Sequence, residues 1–198
     1  MALSQGVYIN KRVRDDLLWF ADSVDRLEGV RLFEAEEWSA DAAELEIWSD
    51  ASRDGLGFWV PKFSSGFIGD VVLGNDSTFN IFLNEAIAIL AALHWSSSLH
   101  PTPTRLAIHT DSSNSFNIFN SLRASNAYNA ILMSAAMIQI DHGIDLRVFF
   151  IEGKQNIITD TRSRRSFEII RNLVPDVTIC HFMPPISPDV AVMGASSK

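Results

Sequence analysis

The stretch Leu45–Ser52, with the sequence LEIWSDAS, decides how the rest of the chain is interpreted. It predicts a β-strand that ends at Asp50, followed by a Ser-Arg-Asp-Gly turn and a second strand that begins at Leu56. A carboxylate at the exposed end of a buried strand is costly unless a cation or hydrogen bonds compensate its charge. The sequence therefore predicts that partners of Asp50 come from elsewhere in the chain.

The composition predicts one globular domain with an appendage. The chain has 198 residues, of which 47% are hydrophobic and 20% charged, so it is long enough to bury a substantial core. Cys180 is the only cysteine, which excludes an internal disulfide and a cysteine-based zinc site and favours a reducing compartment. The start of the chain lacks a signal-peptide pattern, and the longest apolar stretch, Ala86–Trp95, is too short to span a bilayer. We therefore expect a soluble, intracellular protein of the cytoplasm or nucleus, with no membrane partner.

The net charge of −8 is concentrated at the start of the chain. Residues 1–50 contain 12 acidic and 5 basic residues, a net charge of −7, and residues 51–198 contain 12 acidic and 11 basic residues, a net charge of −1. Net acidity argues against a free-standing protein that binds nucleic acid tightly. Residues 147–171, with 6 basic and 3 acidic residues, nevertheless form a locally basic segment that suits a phosphate-bearing substrate.

The chain is predicted to have three parts. Residues 1–43 are a lead-in segment with an amphipathic helix, Val13–Leu27. This segment is too small for a core of its own, so we expect it to pack on the main domain. Residues 44–174 form the main domain, and residues 175–198, which contain several prolines and then small residues, form an extended tail.

The main domain is predicted to be an α/β fold with a mixed five-stranded sheet flanked by helices. Periodicity and turn residues predict an antiparallel meander of three strands, followed by helices that alternate with two parallel strands. The predicted strands are Leu45–Ser49, Leu56–Pro61, Gly66–Leu73, Leu106–Thr110 and Leu146–Ile151. The predicted helices are Ile81–Leu99, a helix capped by Ser112, Ser113 or Asn114, Asn126–Asp141, and Ile157–Arg165.

The connectivity places acidic residues at one edge of this sheet. A right-handed crossover through the helix Ile81–Leu99 makes the first and fourth strands parallel neighbours. Asp50 and Asp111, which end these strands, then share the edge where α/β sheets collect ligands. Glu85 lies near the start of the crossover helix, and Asp160 lies on the helix after the final strand. Four carboxylates at one edge could not all ionise without cations between them, and two divalent cations about 3.5–4 Å apart are the usual arrangement for phosphodiester cleavage.

Each acid also has a purely structural interpretation. Asp50 could open a turn, and Asp111 could cap the helix that follows it. Glu85 could be an ordinary acid of a first helical turn, and Asp160 could pair with Arg164, four residues further on. The four acids together favour a joint site, because all of them fall at element ends that the topology brings together.

The four acids lie in segments with distinctive sequences, which are Ile47–Ser52, Asn84–Leu93, His109–Asn114 and Gly153–Arg164. In this order they resemble the motifs of ribonuclease H domains in retroelement reverse transcriptases. The last segment, GKQNIITDTRSR, is similar to the family's Gly-Lys-x-Asn-x-x-Ala-Asp-x-x-Ser-Arg signature. Phe116–Asn129 and Asp145–Val148 are most similar to elements of the fungal kind, and Val13–Phe20 resembles the connecting segment that precedes this domain.

The resemblance implies a ribonuclease H-like fold with a metal site formed by Asp50, Glu85, Asp111 and Asp160. This site would hold two Mg²⁺ or Mn²⁺ ions. The resemblance also implies endonucleolytic cleavage of the RNA strand of an RNA–DNA hybrid, which leaves a 3′-hydroxyl. A reverse transcriptase polymerase domain is a candidate partner.

Residues beside the acids are predicted to contact the substrate, and these are Ser52, Ser112, Asn114, Lys154, Asn156, Arg162 and Arg164.

Two other functions are compatible with the sequence. A catalytically weak or inactive module of this fold could be a nucleic-acid or protein scaffold, which the net acidity and the unusual Thr159 and Thr161 around Asp160 favour. A strand transferase of the same superfold, such as an integrase, usually has a glutamate as its late acid and lacks an early one on the first helix, so Glu85 and Asp160 argue against it.

Overall fold

The computed structural model describes residues 9–26, 37–52, 55–70, 78–152 and 177–183. The chain divides into two compact units, residues 1–35 and residues 36–198. None of the helices in the described ranges has the length and apolar character that crossing a membrane requires.

The described part of the first unit contains one helix, α1 (Lys11–Arg26). Asn10 begins it, because the Asn10 Oδ1 atom accepts a hydrogen bond from the backbone N–H of Val13 at 2.9 Å. The predicted helix Val13–Leu27 is confirmed as far as Arg26, and Leu27 lies outside the described residues. The packing of this segment on the main domain stays a prediction.

The second unit is built on a mixed six-stranded sheet with the strand order β5-β4-β1-β2-β3-β6. The strands are β1 (Leu45–Ala51), β2 (Leu56–Val60), β3 (Ser65–Gly69), β4 (Arg105–Thr110), β5 (Asp145–Phe150) and β6 (Thr178–His181). β1, β2 and β3 form the predicted antiparallel meander, and β4 and β5 extend the sheet in parallel from β1. The prediction of a mixed α/β sheet is therefore confirmed.

The predicted number of five strands is wrong, because β6 forms within the predicted tail, residues 175–198. β6 pairs in parallel with β3, in a register that matches Phe67 with Cys180. The ring of Phe182, directly after β6, lies 5.3 Å from the ring of Phe58 in the core. A strand of four residues has little pattern of its own, and its partner lies more than a hundred residues earlier in the chain, so local sequence reasoning could not find it.

Three helices of the described residues pack with this sheet, and they are α2 (Thr78–Ser97), α3 (Ser113–Ser121) and α4 (Asn126–His142). α2 contacts the sheet on one side and α4 on the other, and every residue from Ala86 to Leu93 is buried. A helix that is apolar all round needs cover all round, which this central position provides. The core therefore lies between α2 and the sheet face that carries Ile47, Phe58 and Ile108.

Side-chain amides close the outer edge of β5. Asn120 of α3 donates to the carbonyl oxygen of Val148 at 2.7 Å and accepts from the N–H of Val148 at 3.1 Å. The Oε1 atom of Gln139 on α4 accepts from the N–H of Leu146 at 3.3 Å. These bonds occupy backbone groups that an edge strand would otherwise offer to another chain. They also hold α3 and α4 in place relative to the sheet.

Candidate active site

The carboxyl ends of β1 and β4 bring two of the predicted acids to one edge of the sheet. The strands are parallel, and their register pairs Trp48 with His109. Asp50 and Asp111 each follow a member of this pair by two residues, so they lie at the same level of the sheet. Asp50 is buried and Asp111 is half-buried. The predicted parallel pairing of the two strands is confirmed.

The neighbouring hairpin fixes the end of β1. Asp50 pairs in register with Gly57 of β2. A Cβ atom at position 57 would lie 2.6 Å from the carbonyl oxygen of Phe67 on β3, which is closer than real contacts allow. This close approach of β2 and β3 therefore requires a glycine beside Asp50.

Stacked aromatic rings connect β1, β4 and β5 next to the two aspartates. The Trp48 ring stacks on the His109 ring with a centroid distance of 4.5 Å, and the Phe149 ring lies 5.6 Å from His109. The Nε2 atom of His109 lies 3.0 Å from the Oε2 atom of Glu46. These contacts tie β1, β4 and β5 into one rigid support directly before the two aspartates.

Glu85 of α2 has an electrostatic environment that is unusual for a glutamate. Burial raises the pKa of the Glu85 carboxyl from 4.5 to about 7, while a hydrogen bond with Ser112 lowers this pKa and the charge of Asp111 raises it. The Oε2 atom of Glu85 is buried, and no described residue gives it a hydrogen bond. A buried carboxylate near a second carboxylate is costly when ionised. Either a proton on Glu85 or a cation bound beside it would therefore lower the free energy of this group.

Ser112 connects Glu85 to the turn that carries Asp111. Its Oγ atom accepts a hydrogen bond from the N–H of Ser115 at 3.2 Å, which caps the N-terminus of α3. Its own N–H donates to the Oγ1 atom of Thr110 at 3.1 Å. The predicted cap at Ser112 is confirmed, and it is this serine rather than Asp111 that caps the helix. The β4–α3 turn is thereby held beside the carboxylate of Glu85.

Tyr128 of α4 belongs to the same polar cluster, although sequence reasoning did not identify it. Tyr128 is 5% exposed, and its hydroxyl accepts a hydrogen bond from the Nδ2 atom of Asn114 at 2.9 Å. Burial raises the pKa of Tyr128, the bond with Asn114 lowers it, and the charge of Glu85 raises it. The available signal was a tyrosine among the apolar residues of a helix, because a buried tyrosine usually finds a hydrogen-bond partner for its hydroxyl.

Three of the predicted substrate-contact residues lie within the described ranges, and they are Ser52, Ser112 and Asn114. Ser52 closes the turn after β1, since its N–H donates to the carbonyl oxygen of Gly55 at 2.8 Å and its Oγ atom lies 3.3 Å from the same oxygen. The amide nitrogen of Asn114 is engaged by Tyr128. Substrate contacts of Ser52, Ser112 and Asn114 stay predictions. The remaining predicted site residues lie outside the described ranges, and they are Lys154, Asn156, Asp160, Arg162 and Arg164.

The described acids Asp50, Glu85 and Asp111 lie in neighbouring elements but do not form a closed metal-binding group. Within the part of the chain that the structure describes, no group of three His, Cys, Asp or Glu side chains is placed to hold a metal ion. Glu85 and Asp111 are close enough for the charge of Asp111 to raise the pKa of Glu85, and Asp50 is the penultimate residue of the neighbouring strand β1. Magnesium keeps several of its own waters and often takes only one or two protein carboxylates, so Glu85 and Asp111 are candidate ligands for it.

Comparison of the chain with protein-family models and with curated proteins finds no match. The function is therefore inferred from the residues and their geometry.

Proposed function

We propose that this protein is an endoribonuclease of the ribonuclease H type, which hydrolyses the RNA strand of RNA–DNA hybrids with two Mg²⁺ or Mn²⁺ ions. The observation that carries the proposal is the Glu85 carboxylate, which has a buried Oε2 atom that no described residue satisfies and a pKa that burial and the charge of Asp111 raise. Sequence motifs around these acids resemble those of ribonuclease H domains, and parallel strands end beside both aspartates.

The residues present suit a hard divalent cation. All the candidate ligands are carboxylates, and oxygen is the ligand atom that Mg²⁺ and Mn²⁺ prefer. The Oε2 atom of Glu85 has unused acceptor capacity, and a cation would favour the ionised form that burial and Asp111 disfavour. Asp50, Glu85 and Asp111 would hold the ions, with Asp160 as the fourth ligand.

The role of the protein itself would be to hold the negatively charged carboxylates in fixed positions around the ions. When bound, the two ions would polarise the scissile phosphate and activate a water molecule. Asp50 and Asp111 are kept at one level by the pairing of β1 with β4, and Ser112 orients the Glu85 carboxylate through its hydrogen bond. This preorganised set of negative groups would otherwise repel a phosphodiester, so binding of substrate is expected to depend on cations.

The proposal extends to partners and location. An RNA–DNA hybrid is the substrate, and a reverse transcriptase polymerase domain is the protein partner that would present it. A single cysteine suits the reducing conditions of the cytoplasm or nucleus, where such hybrids would be processed.

Cleavage of a labelled RNA–DNA hybrid with and without Mg²⁺ tests the proposal. We expect the wild-type protein to cut the RNA strand only when Mg²⁺ or Mn²⁺ is present. Asp50→Asn and Asp111→Asn should each reduce the rate by at least about 100-fold, because each removes a charge that would hold the ions. Asp141→Asn, which changes an exposed carboxylate near the end of α4, is the matched control and should cut at the wild-type rate. Full activity of purified Asp50→Asn would contradict the assigned site.

The choice of substrate separates this function from others. We expect cleavage of the hybrid and little cleavage of double-stranded RNA or DNA of the same sequence. A preference for DNA ends would instead indicate a strand transferase of the same superfold.

A second candidate function is a binding scaffold without catalysis, and the net charge of −8 favours it because acidity weakens nucleic-acid binding and suits protein partners. A protein that neither cleaves the hybrid nor changes its unfolding temperature with Mg²⁺ would support the scaffold. Binding to hybrid in a mobility-shift assay would then distinguish a nucleic-acid scaffold from a protein scaffold.

A further inference from the structure

His109 of β4 and two residues of β1 form a cluster directly before the two aspartates. Asp50 lies on the same face of β1 as Trp48, because side chains alternate between the two faces of a strand. Asp111 follows His109 by two residues and lies directly after β4. We propose that His109 is a positioning residue, whose bond with Glu46 holds β1 and β4 at the spacing that lets the two aspartates bind divalent cations. This inference rests on the cation site of the proposed function.

A hydrogen bond between side chains joins the two strands through His109. Its Nε2 atom lies 3.0 Å from the Oε2 atom of Glu46 on β1. A carboxylate only accepts hydrogen bonds, so Nε2 is the donor of this pair. His109 is 8% exposed, and its Nδ1 atom is buried without a partner among the described residues. Within the described part of the chain, the bond with Glu46 is therefore the hydrogen bond that orients the imidazole ring.

Aromatic rings on both neighbouring strands fix the position of this imidazole. The Trp48 ring of β1 stacks on it with a centroid distance of 4.5 Å and an interplanar angle of 21°. The Phe149 ring of β5 lies 5.6 Å from it on the other side of β4. Because side chains in protein interiors are closely packed, the imidazole cannot shift without moving one of these rings.

The spacing of the two aspartates depends on this cluster. The register of β1 with β4 runs from the pair Leu45 and Leu106 to the pair Trp48 and His109. The described residues after Trp48 and His109 form no further register pair between these two strands. The contacts of His109 are therefore made at the last paired position before the aspartates. Groups that hold metal ligands in place typically change metal affinity by about 10–100-fold.

A second glutamate joins the same two strands at their opposite end. The Oε2 atom of Glu44, directly before β1, accepts a hydrogen bond from the N–H of Thr104 at 3.0 Å. Thr104 directly precedes β4, and Asp50 lies six residues after Glu44, about 20 Å further along an extended strand. A role in general stability predicts that both glutamates affect metal binding equally. A positioning role predicts an effect of Glu46 but not of Glu44.

Binding of Mn²⁺ tests this role without depending on activity, and the loss of the free-ion signal in electron paramagnetic resonance measures it. The full-length wild-type chain is compared with Glu46→Ala, Glu46→Gln and Glu44→Ala. We expect Glu46→Ala to raise the dissociation constant for Mn²⁺ by about 10-fold. Glu46→Gln removes the same charge but keeps an oxygen that accepts from His109, so it should bind Mn²⁺ almost as tightly as the wild type. The control Glu44→Ala should also bind Mn²⁺ almost as tightly.

Substitution of the histidine provides a second test. His109→Phe keeps a ring for the stack on Trp48 and loses the nitrogen that donates to Glu46. It should raise the dissociation constant as much as Glu46→Ala does. The double variant should show no larger effect than either single variant, because both substitutions remove the same bond. In hybrid cleavage, both single variants should need about 10-fold more Mn²⁺ and should approach the wild-type rate at saturating Mn²⁺.

Three results would overturn the inference. The first is an unchanged dissociation constant in Glu46→Ala. The second is a loss of affinity that Glu46→Gln or Glu44→Ala shows to the same extent. The third is an additive effect in the double variant. If Glu46→Ala does not fold, His109→Phe decides in its place, and an unchanged dissociation constant there overturns the inference as well.

Failure of the proposed function gives a different result. A wild-type protein that binds Mn²⁺ but does not cleave the hybrid contradicts the proposed reaction, and the dissociation constants of the variants still decide this inference. A wild-type protein that does not bind Mn²⁺ overturns the inference directly.

Discussion

Replacement of Glu85 by glutamine is expected to stabilise the protein above neutral pH and to abolish hybrid cleavage. The Glu85 carboxyl has a pKa raised from 4.5 to about 7, chiefly because it is buried. Glutamine has nearly the same shape and stays neutral, so it removes the cost of a buried charge together with the candidate cation ligand. Stability and activity should therefore change in opposite directions.

The size of the effect follows from the two pKa values. The folded protein binds the Glu85 proton more tightly than the unfolded chain does, so this proton contributes its full stabilisation below a pH of about 4.5. That contribution is lost as the pH rises through about 7. A difference of about 2.5 pKa units corresponds to about 3 kcal/mol. Glu85→Gln should therefore gain about 3 kcal/mol over the wild type at about pH 8 and less than about 1 kcal/mol at about pH 5.

Urea unfolding without divalent cations measures this difference. Wild type, Glu85→Gln and the control Asp141→Asn are compared at about pH 5 and about pH 8, where Asp141→Asn should differ from wild type by no more than about 0.5 kcal/mol at either pH. Saturating Mg²⁺ at about pH 8 should restore stability to the wild type and leave Glu85→Gln unchanged, because ligand binding stabilises only a folded state that holds the site.

Two results would refute this reasoning. A Glu85→Gln protein that is less stable than wild type at about pH 8 would show that the ionised carboxylate is satisfied in the folded state. An equal gain at both pH values would show that the effect does not come from ionisation of Glu85.

Three more predictions concern residues that support the site. Ser112→Ala should lose about 1 kcal/mol of stability in urea unfolding, because the cap of α3 is missing. The same variant should move the pH midpoint of Mg²⁺-dependent cleavage upward, because the hydrogen bond with Ser112 lowers the pKa of Glu85. A pH–rate profile measures this midpoint, and an unchanged or lower value contradicts the assigned bond. Gly57→Ala should destabilise the protein by about 1–3 kcal/mol in thermal unfolding, because the new Cβ atom would lie 2.6 Å from the Phe67 carbonyl oxygen. Wild-type stability of this variant would show that β2 and β3 can separate without cost. Asn120→Ala should lower the free energy of unfolding in urea by about 1–3 kcal/mol, because it removes the two hydrogen bonds to Val148. Asn117→Ala, at an exposed position on the same helix, should change it hardly at all, and equal losses in the two variants would contradict the role of the Asn120 amide.

Much of the fold could be predicted because its signals are local. The helices α2 and α4 follow from long, largely apolar stretches without glycine or proline, and α4 ends where Gly143 adopts a left-handed conformation with φ of 67°. The parallel pairing of β1 with β4 follows from the handedness of the crossover through α2. This pairing is enough to place Asp50 and Asp111 at one edge of the sheet.

Other features depend on partners that are distant in the sequence. β6 is recognisable only by its pairing with β3, and Asn120 has a role only because β5 lies beside α3. Tyr128 has the sequence context of an ordinary core residue, and the effect of the Glu85 charge on its pKa arises from the packing of α4 on α2. Local patterns carry no information about these contacts, because the residues involved lie far apart along the chain.

The sequence by itself determined the order of the elements from β1 to β5 and the positions of Asp50 and Asp111 near the ends of two strands, because hydrophobic patterns and turn residues act over short distances. Only the tertiary structure decided the state of Glu85, because its raised pKa depends on how completely α2 is buried and on the approach of Asp111 from β4. A carboxylate in water and a carboxylate in the core have the same letter in the sequence. Desolvation and neighbouring charge, which are properties of the folded chain, make one of them a candidate ligand for a cation.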